Sequence, residues 1–153
     1  MQPIEMIEQT FRLVNSHPEF PVTAEAFDGI KVSYDGKQAA LGLNLLMLYT
    51  EDVYKIEGYP YFGYLHGRYT EQELKDIDDY ALKRGIEVVP CIQTLAHLNC
   101  YFRWEETHAV MDLPDTLLAD APESYRLIDA MLQTCSRVFR SRRIHVGMDE
   151  NRL

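Results

Sequence analysis

The stretch Ile86-Glu87-Val88-Val89-Pro90-Cys91-Ile92 decides the fold, because it is an almost continuous apolar run of strand length. Runs of this kind are typical of strands buried on both faces in parallel sheets. A similar run precedes it, Leu43-Asn44-Leu45-Leu46-Met47-Leu48-Tyr49, and a third follows it, Ile144-His145-Val146-Gly147-Met148. We therefore predict three strands, the first two of them buried on both faces.

A helix is predicted in each interval between these strands. In the first interval Thr70 and Glu73 form a capping box, and Gly85 stands where a C-terminal cap belongs. After a long loop through residues 93–119, the second helix is predicted to begin with Asp120 as its N-cap. This alternation implies parallel strands joined by crossover helices. By itself the pattern fits either half of an α/β barrel or part of an open sheet.

The composition is that of a globular protein with little affinity for polyanions. The chain has 153 residues, of which 46% are hydrophobic and 25% charged, and its net charge is −9. Such acidity argues against nucleic acid and anionic membranes as partners, because phosphate contacts need clustered basic side chains. Three cysteines, Cys91, Cys100 and Cys135, form no disulfide framework. We predict that they are reduced thiols in or near a core.

Residues 1–40 are patterned differently from the rest of the chain. Apolar spacing predicts a helix over residues 3–16, and Asp35-Gly36 predicts a hairpin turn between short strands in residues 26–40. No basic segment followed by an apolar one is visible at the N-terminus, and no apolar run approaches the roughly 20 residues of a membrane helix. Together with the unpaired thiols, this predicts a cytoplasmic location.

Polar side chains follow each of the three predicted strands, at the ends that carry the active site in α/β folds. They are Thr50, Glu51 and Asp52 after the first strand, Gln93, Thr94 and His97 after the second, and His145, Asp149 and Glu150 in and after the third. Taken singly, each has a simpler explanation. An Asp-Glu dipeptide is usually a solvated turn, the histidines can be structural, and Asp52 can cap a loop.

The loop after the first strand is rich in aromatic residues, which are Tyr54, Tyr59, Tyr61, Phe62, Tyr64 and Tyr69. Tyrosines above the ends of parallel strands can stack against sugar rings, but the same residues can serve only for packing. The sequence leaves both interpretations open.

The string His145-Val146-Gly147-Met148-Asp149-Glu150 resembles the signature His-x-Gly-Gly-Asp-Glu of family 20 glycoside hydrolases, the β-N-acetylhexosaminidases, with Met148 in place of the second glycine. Upstream, residues 48–52 followed by 67–74 are similar to the family's second strand and helix. Residues 85–97 are similar to its third strand, where Cys91 and Gln93 replace the usual Glu and Asp. These variants, with the Pro-Tyr-Phe-Gly-Tyr string at residues 60–64, resemble a bacterial branch that acts inside the cell.

The resemblance implies a fold and an organisation. The fold is a partial (β/α)8 TIM barrel of about three parallel strands with their helices, preceded by a fragment of a small α+β domain. Residues 1–40 are then the remnant of that N-terminal α+β domain. Residues 41–153 are a partial TIM-barrel catalytic domain that ends at the Asp-Glu pair.

The resemblance also implies an activity, which is the exo-acting hydrolysis of terminal N-acetylglucosamine or N-acetylgalactosamine with retention of configuration. The acetamido oxygen of the substrate is the nucleophile, and the family is a known exception to the scheme of two catalytic carboxylates. Glu150 is then the general acid and base, and Asp149 orients the acetamido group. His145 and His97 position the carboxyls, and Asp52 supports the pocket. No cofactor and no metal are implied.

Two features depart from the family. No counterpart of its first barrel strand, with the sugar-binding arginine, is visible, and three strands cannot close an eight-stranded barrel. We therefore expect a truncated enzyme with exposed apolar faces, which a homo-oligomer could cover. The alternative is a catalytically inactive remnant of the fold that self-associates or binds carbohydrate. A metal-dependent hydrolase using His97, His145, Asp149 and Glu150 is a third alternative, although no metal-binding spacing supports it.

Overall fold

The computed structural model describes residues 44–148. The predicted N-terminal helix, hairpin and domain of residues 1–40 lie outside the described residues, as do Asp149 and Glu150. The elements in chain order are β1 (Leu45–Glu51), α1 (Glu71–Leu82), β2 (Glu87–Ile92), a 3₁₀ helix (Glu105–Val110), β3 (Met111–Leu113), β4 (Thr116–Leu117) and α2 (Pro122–Val138). Neither α-helix within residues 44–148 combines the length and apolar character that crossing a bilayer requires.

Strands β1 and β2 form a parallel pair whose register runs from Leu45 opposite Glu87 to Tyr49 opposite Cys91. Segment 144–148 lies along the other edge of β2. The N–H of His145 donates to the carbonyl of Pro90, and the carbonyl of His145 accepts from Ile92, each at 2.9 Å. The predicted third strand is therefore present as an extended parallel segment, joined by a bridge between Cys91 and His145.

The pairing of segment 144–148 with β2 stays short for a chemical reason. Pro90 has no N–H, so it cannot donate a ladder hydrogen bond to the part of the segment before His145. Beyond the bridge, the N–H of Gly147 donates to the ring of His145 at 3.2 Å and leaves the ladder. The carbonyl of Gly147 still accepts from the N–H of Thr94 at 3.0 Å, which keeps the segment against β2.

The capping predictions for α1 are confirmed. The side chain of Thr70 accepts from the N–H of Glu73 at 3.2 Å, and the Glu73 carboxylate accepts from the N–H of Thr70 at 2.7 Å. Gly85 has φ +71°, and the N–H groups of Gly85 and Ile86 donate back to Leu82 and Ala81. This pair of hydrogen bonds is the Schellman arrangement that a left-handed glycine makes possible.

The predicted cap of α2 is wrong by one residue. Asp120 has φ +64°, whereas an N-cap residue needs extended backbone, and the capping position is taken by Ala121 without a side-chain hydrogen bond. The long loop of residues 93–119 is also more ordered than predicted, because it contains the 3₁₀ helix and the β3–β4 hairpin.

The core lies between one face of the sheet and the two helices. Its largest members from these elements are Ile77 of α1, Ile92 of β2, and Leu127 and Met131 of α2, each almost fully buried. Strand β2 is buried on both faces, as predicted. The same prediction for β1 is wrong, because Met47 and Tyr49 remain 48% and 47% exposed. Successive residues of a strand point to opposite faces, and within residues 44–148 the helices cover only one of them.

Candidate active site

The ends of β1, β2 and segment 144–148 meet at one edge of the sheet, where several polar side chains are buried. Thr50, Asp52, Gln93 and Thr94 are each no more than 5% exposed. The amide of Gln93 donates to the hydroxyl of Tyr49 at 3.1 Å, and that hydroxyl donates to Glu51 at 3.1 Å. Side chains from two neighbouring strands are thus joined by hydrogen bonds at the edge where the sequence predicts the site.

A break in β1 directs Asp52 into this edge. The register with β2 shifts between Tyr49 and Glu51, and Glu51 has φ +40°. Such an irregularity re-aims the residue that follows it. The carboxylate of Asp52 is 1% exposed, and its Oδ1 lies 2.6 Å from Nδ1 of His66. Its other oxygen has no hydrogen-bond partner among the described residues.

His66 is the site residue that sequence reasoning missed. A carboxylate oxygen only accepts hydrogen bonds, so Nδ1 of His66 carries the proton and donates to Asp52. The loop between Asp52 and His66 is held by Arg68. Its guanidinium donates to the carbonyls of Pro60 and Phe62 at 2.6 and 2.8 Å. Sequence spacing carries no signal for this contact, because a loop of irregular turns has no periodicity.

The two predicted histidines occupy different parts of the edge. His97 is half-buried on the turn after β2 and has φ +60°, a conformation uncommon outside glycine. His145 is exposed, and its Nδ1 lies 3.3 Å from the sulfur of Cys91. That nitrogen accepts the N–H of Gly147, so the proton of the neutral ring is on Nε2. Because its side chain is exposed, His145 is not a structural histidine of the core.

Gly147 is required by the close approach of segment 144–148 to β2. It has φ +56°, and a Cβ placed on it would lie 2.1 Å from the carbonyl oxygen of Ile92 and 2.6 Å from Oε1 of Gln93. No side chain fits such a space. The glycine therefore fixes the path of the backbone two residues before Asp149, which lies outside the described residues with Glu150.

Four of the six aromatic residues of the loop after β1 form two groups, whereas the other two are half-buried and pack against the core, namely Tyr59 and Tyr69. Tyr54 and Phe62 are buried and pack edge to face at 5.1 Å, so for them packing is the correct interpretation. Burial raises the pKa of Tyr54 well above its ordinary value. Tyr61 and Tyr64 instead surround Trp104, with ring centroids at 5.7 and 5.1 Å. The rings of this second group, which we call the Trp104 cluster, are half-buried or exposed.

A wide hollow of about 670 Å³ lies away from this chemistry. It is lined by the N-terminal ends of the strands and by charged side chains, among them Glu87, Arg140 and Arg143. Glu87 binds Arg143 and Ser141, and these hydrogen bonds lower the pKa of its carboxyl. We place the candidate site at the opposite edge, because ligands of α/β barrels bind at the C-terminal ends of the strands.

One group of side chains within residues 44–148 has donor atoms close enough to hold a metal ion. Asp52, His66 and Cys100 each offer one atom, and these atoms lie within 4.8 Å of one another. Arg103 donates to the sulfur of Cys100 at 3.3 Å. This guanidinium places a positive charge beside the group, which opposes the binding of a cation.

Known proteins resemble this chain in sequence. Residues 50–152 match the model of the glycosyl hydrolase family 20 catalytic domain. The chain is 30% identical over 115 residues to Hexosaminidase D of Bos taurus, covering 72% of this chain and 33% of the relative. It is also 30% identical over 96 residues to Beta-hexosaminidase of Vibrio furnissii, covering 55% of this chain and 16% of the relative.

The fold is likewise found in solved structures. The GH20 β-N-acetylhexosaminidase of Streptomyces coelicolor A3(2) superposes with a TM-score of 0.65 at 23% identity, covering 80% of this chain and 30% of that one. The described elements are therefore part of an α/β barrel rather than of an open sheet. The chain spans a third or less of the length of the two curated relatives. The family match covers more than half of the chain, and this chain belongs to glycosyl hydrolase family 20.

Proposed function

We propose that this chain carries the acid–base machinery of a β-N-acetylhexosaminidase that removes terminal N-acetylglucosamine or N-acetylgalactosamine. The observation that carries the proposal is the family match through residue 152, which includes the Asp149-Glu150 pair two residues after the constrained Gly147. Hexosaminidase names of two relatives support the substrate class.

The proposed reaction retains configuration without a nucleophile from the protein. The carbonyl oxygen of the substrate's 2-acetamido group attacks the anomeric carbon, while Glu150 donates a proton to the departing oxygen. An oxazolinium ion results, and Asp149 stabilises the positive charge that develops on its nitrogen. Glu150 then removes a proton from the water that opens this ring. Neighbouring residues of an extended chain point in different directions, which suits two carboxyls acting on different atoms.

The described edge supports this chemistry by the contacts that hold it in place. Asp52 is held by His66, and Gly147 holds the preceding backbone against β2. We propose that Asp52 accepts a hydrogen bond from the substrate or from another part of the site through Oδ2, because a buried carboxylate oxygen without a partner is costly. His145 and His97 remain proposed positioning residues for the carboxyls.

The proposal is tested by hydrolysis of 4-nitrophenyl N-acetyl-β-glucosaminide by the purified protein. Glu150→Gln keeps the shape of the side chain but cannot transfer a proton, so we expect roughly a hundredfold or greater loss of turnover. The matched control is Glu123→Gln, because Glu123 is an exposed carboxylate on the surface of α2 that pairs with Arg126. Equal activity of the Glu150 variant and the control would exclude the proposed role.

A second candidate is a protein that binds sugar or self-associates without hydrolysis. It is favoured by the exposed apolar side chains along the uncovered face and edge of the sheet, namely Met47, Tyr49, Ile144, Val146 and Met148. Light scattering over a range of dilutions measures self-association, and calorimetric titration with N-acetylglucosamine measures binding. Binding or assembly without turnover would favour this candidate over the hydrolase.

We also propose that the protein works in a reducing, cytoplasmic environment. All three cysteines are free thiols. Reduced cysteines are typical of such compartments. Fractionation of cells that express the native protein tests this location.

A further inference from the structure

One of the three cysteines differs from the others in its surroundings. Cys91 and Cys135 are 7% and 5% exposed, and burial raises the pKa of the Cys135 thiol to about 12. Buried thiols of this kind are inert. Cys100 is half-buried and lies on the loop that follows β2, beside the exposed ring of His66.

Cys100, His66 and Asp52 are arranged in a line of hydrogen-bonding atoms. The sulfur of Cys100 lies 3.9 Å from Nε2 of His66, and Nδ1 of the same ring lies 2.6 Å from Asp52. Because Nδ1 carries the proton that Asp52 accepts, Nε2 of the neutral ring has its lone pair free to face the thiol. Sequence alone gives no hint of this line, since its members are 14 and 34 residues apart.

Two further features suit a nucleophilic thiol. The carboxylate of Asp52 is buried and stabilises an imidazolium ion, should the ring accept a proton. The guanidinium of Arg103 donates to the sulfur at 3.3 Å and stabilises negative charge there. The same guanidinium disfavours a metal ion at these three residues. In addition, the 2.6 Å contact of Asp52 with His66 is shorter than the roughly 3.3 Å that separates two ligands of one tetrahedral zinc ion.

We propose that Cys100 is a modification site, a nucleophilic thiol activated by His66 and Asp52 that exchanges with low-molecular-weight disulfides. His66 Nε2 removes the thiol proton, and the resulting thiolate attacks one sulfur of a disulfide R–S–S–R. A Cys100–S–S–R bond forms as the S–S bond of the reagent breaks. The departing RS⁻ takes the proton from His66. Cys100 is oxidised, and half of the reagent is reduced to a thiol.

The inference goes beyond glycoside hydrolysis and does not rest on it, because the exchange involves neither Asp149 nor Glu150. Its product is a mixed disulfide on the rim of the candidate active site. The chemical class of the ligand is therefore a small disulfide, such as glutathione disulfide, and no metal is required.

The test uses the full protein and 4,4′-dithiodipyridine, whose reaction with a thiol releases a coloured thione. We expect one fast-reacting thiol, assigned to Cys100 by peptide mass mapping and absent from Cys100→Ser. The matched controls are Cys91→Ser and Cys135→Ser, which should leave the fast phase unchanged. Mapping of the fast adduct to Cys91 or Cys135 would overturn the proposal.

The role of His66 is tested separately, with folding checked by thermal unfolding. His66→Ala should slow the fast phase by roughly ten- to a hundredfold, because the general base is removed. The side chain of His66 is 37% exposed, so added imidazole can enter the space it leaves. We expect imidazole to restore the rate in His66→Ala and to leave the native protein unaffected. An unchanged rate in His66→Ala, or a slow rate that imidazole does not restore, would show that His66 is not the base.

Discussion

Replacement of Gly147 by alanine tests whether the approach of segment 144–148 to β2 organises the site. The new Cβ would lie 2.1 Å from the carbonyl oxygen of Ile92, a backbone atom that cannot rotate away. Left-handed backbone costs a residue other than glycine about 1–2 kcal/mol. The backbone shift that relieves the steric overlap costs roughly a further 1–3 kcal/mol of stability, as in other overpacked sites. We therefore expect Gly147→Ala to lower the free energy of unfolding by about 2–5 kcal/mol, the sum of these two terms.

Gly67→Ala separates the two contributions. Gly67 also has a left-handed φ, +74°, but a Cβ on it would meet nothing within 4 Å. The free energy of unfolding of Gly67→Ala should fall only by the cost of the left-handed backbone, about 1–2 kcal/mol. Urea unfolding of both variants measures the difference, provided that their m-values agree with that of the native protein. Equal losses in the two variants would refute the argument that close approach, rather than backbone conformation, requires glycine at position 147.

The same substitution has a catalytic consequence. Segment 144–148 can relieve the overlap only by moving away from β2, which weakens the hydrogen bond from the N–H of Thr94 to the carbonyl of Gly147. Asp149 and Glu150 follow directly in the sequence. A displacement of about 1 Å commonly costs a hundredfold in rate, so turnover should fall by roughly that factor in the folded variant. Full turnover would mean that the position of this segment does not control the carboxyls.

Further predictions concern stability and the aromatic residues. Thr70→Ala should cost about 1 kcal/mol at pH 7. The hydrogen bond from the backbone N–H of Thr70, which lowers the pKa of Glu73, is kept in this variant. Its contribution to stability should therefore be present in both proteins above the unfolded pKa of about 4.3 and be lost in both as the pH falls through the lowered value, which urea unfolding against pH measures. Burial raises the pKa of Asp78, and Arg140 is its counter-charge within residues 44–148. Arg140→Met should therefore lower the urea midpoint at neutral pH, and the difference from the native protein should shrink as Asp78 is protonated on acidification. Trp104 is the only tryptophan, and titration with N-acetylglucosamine oligomers should quench its fluorescence if the Trp104 cluster contacts sugar; an unchanged spectrum would favour packing.

The parts of the fold that follow periodic patterns could be predicted from the sequence. Strand β2 and the capping box of α1 depend on local residue types, and both are confirmed. The burial of β1 could not be predicted, because its apolar residues are alike on both faces while the helices cover only one within residues 44–148. The start of α2 was misplaced because Asp120, a good capping residue by type, adopts a left-handed conformation instead.

The edge at which the polar residues of the candidate site lie could be predicted from the sequence, but their contacts could not. Parallel strands bring their C-terminal ends to one edge wherever they occur, so Asp52 and His145 could be assigned to that edge from the strand order alone. The residues that contact Asp52 and His145 could not be predicted in this way. Asp52 binds His66 because of the irregular loop between them, whose backbone carbonyls Arg68 binds. His145 lies beside Cys91 because of the strand register. Contacts set by irregular loops leave no repeating pattern for sequence analysis to detect.

Asp52 belongs to both proposed chemistries, which makes its substitution informative about each of them. If Asp52 supports the sugar site and also orients His66, Asp52→Asn should slow both glycoside hydrolysis and disulfide exchange. His66→Ala should slow the exchange by a much larger factor than it slows hydrolysis, while Glu150→Gln should abolish hydrolysis and leave the exchange intact. Parallel rate measurements on the three variants therefore separate the two activities. A variant of Asp52 with normal exchange would show that its 2.6 Å contact with His66 does not activate the thiol, whatever its effect on hydrolysis.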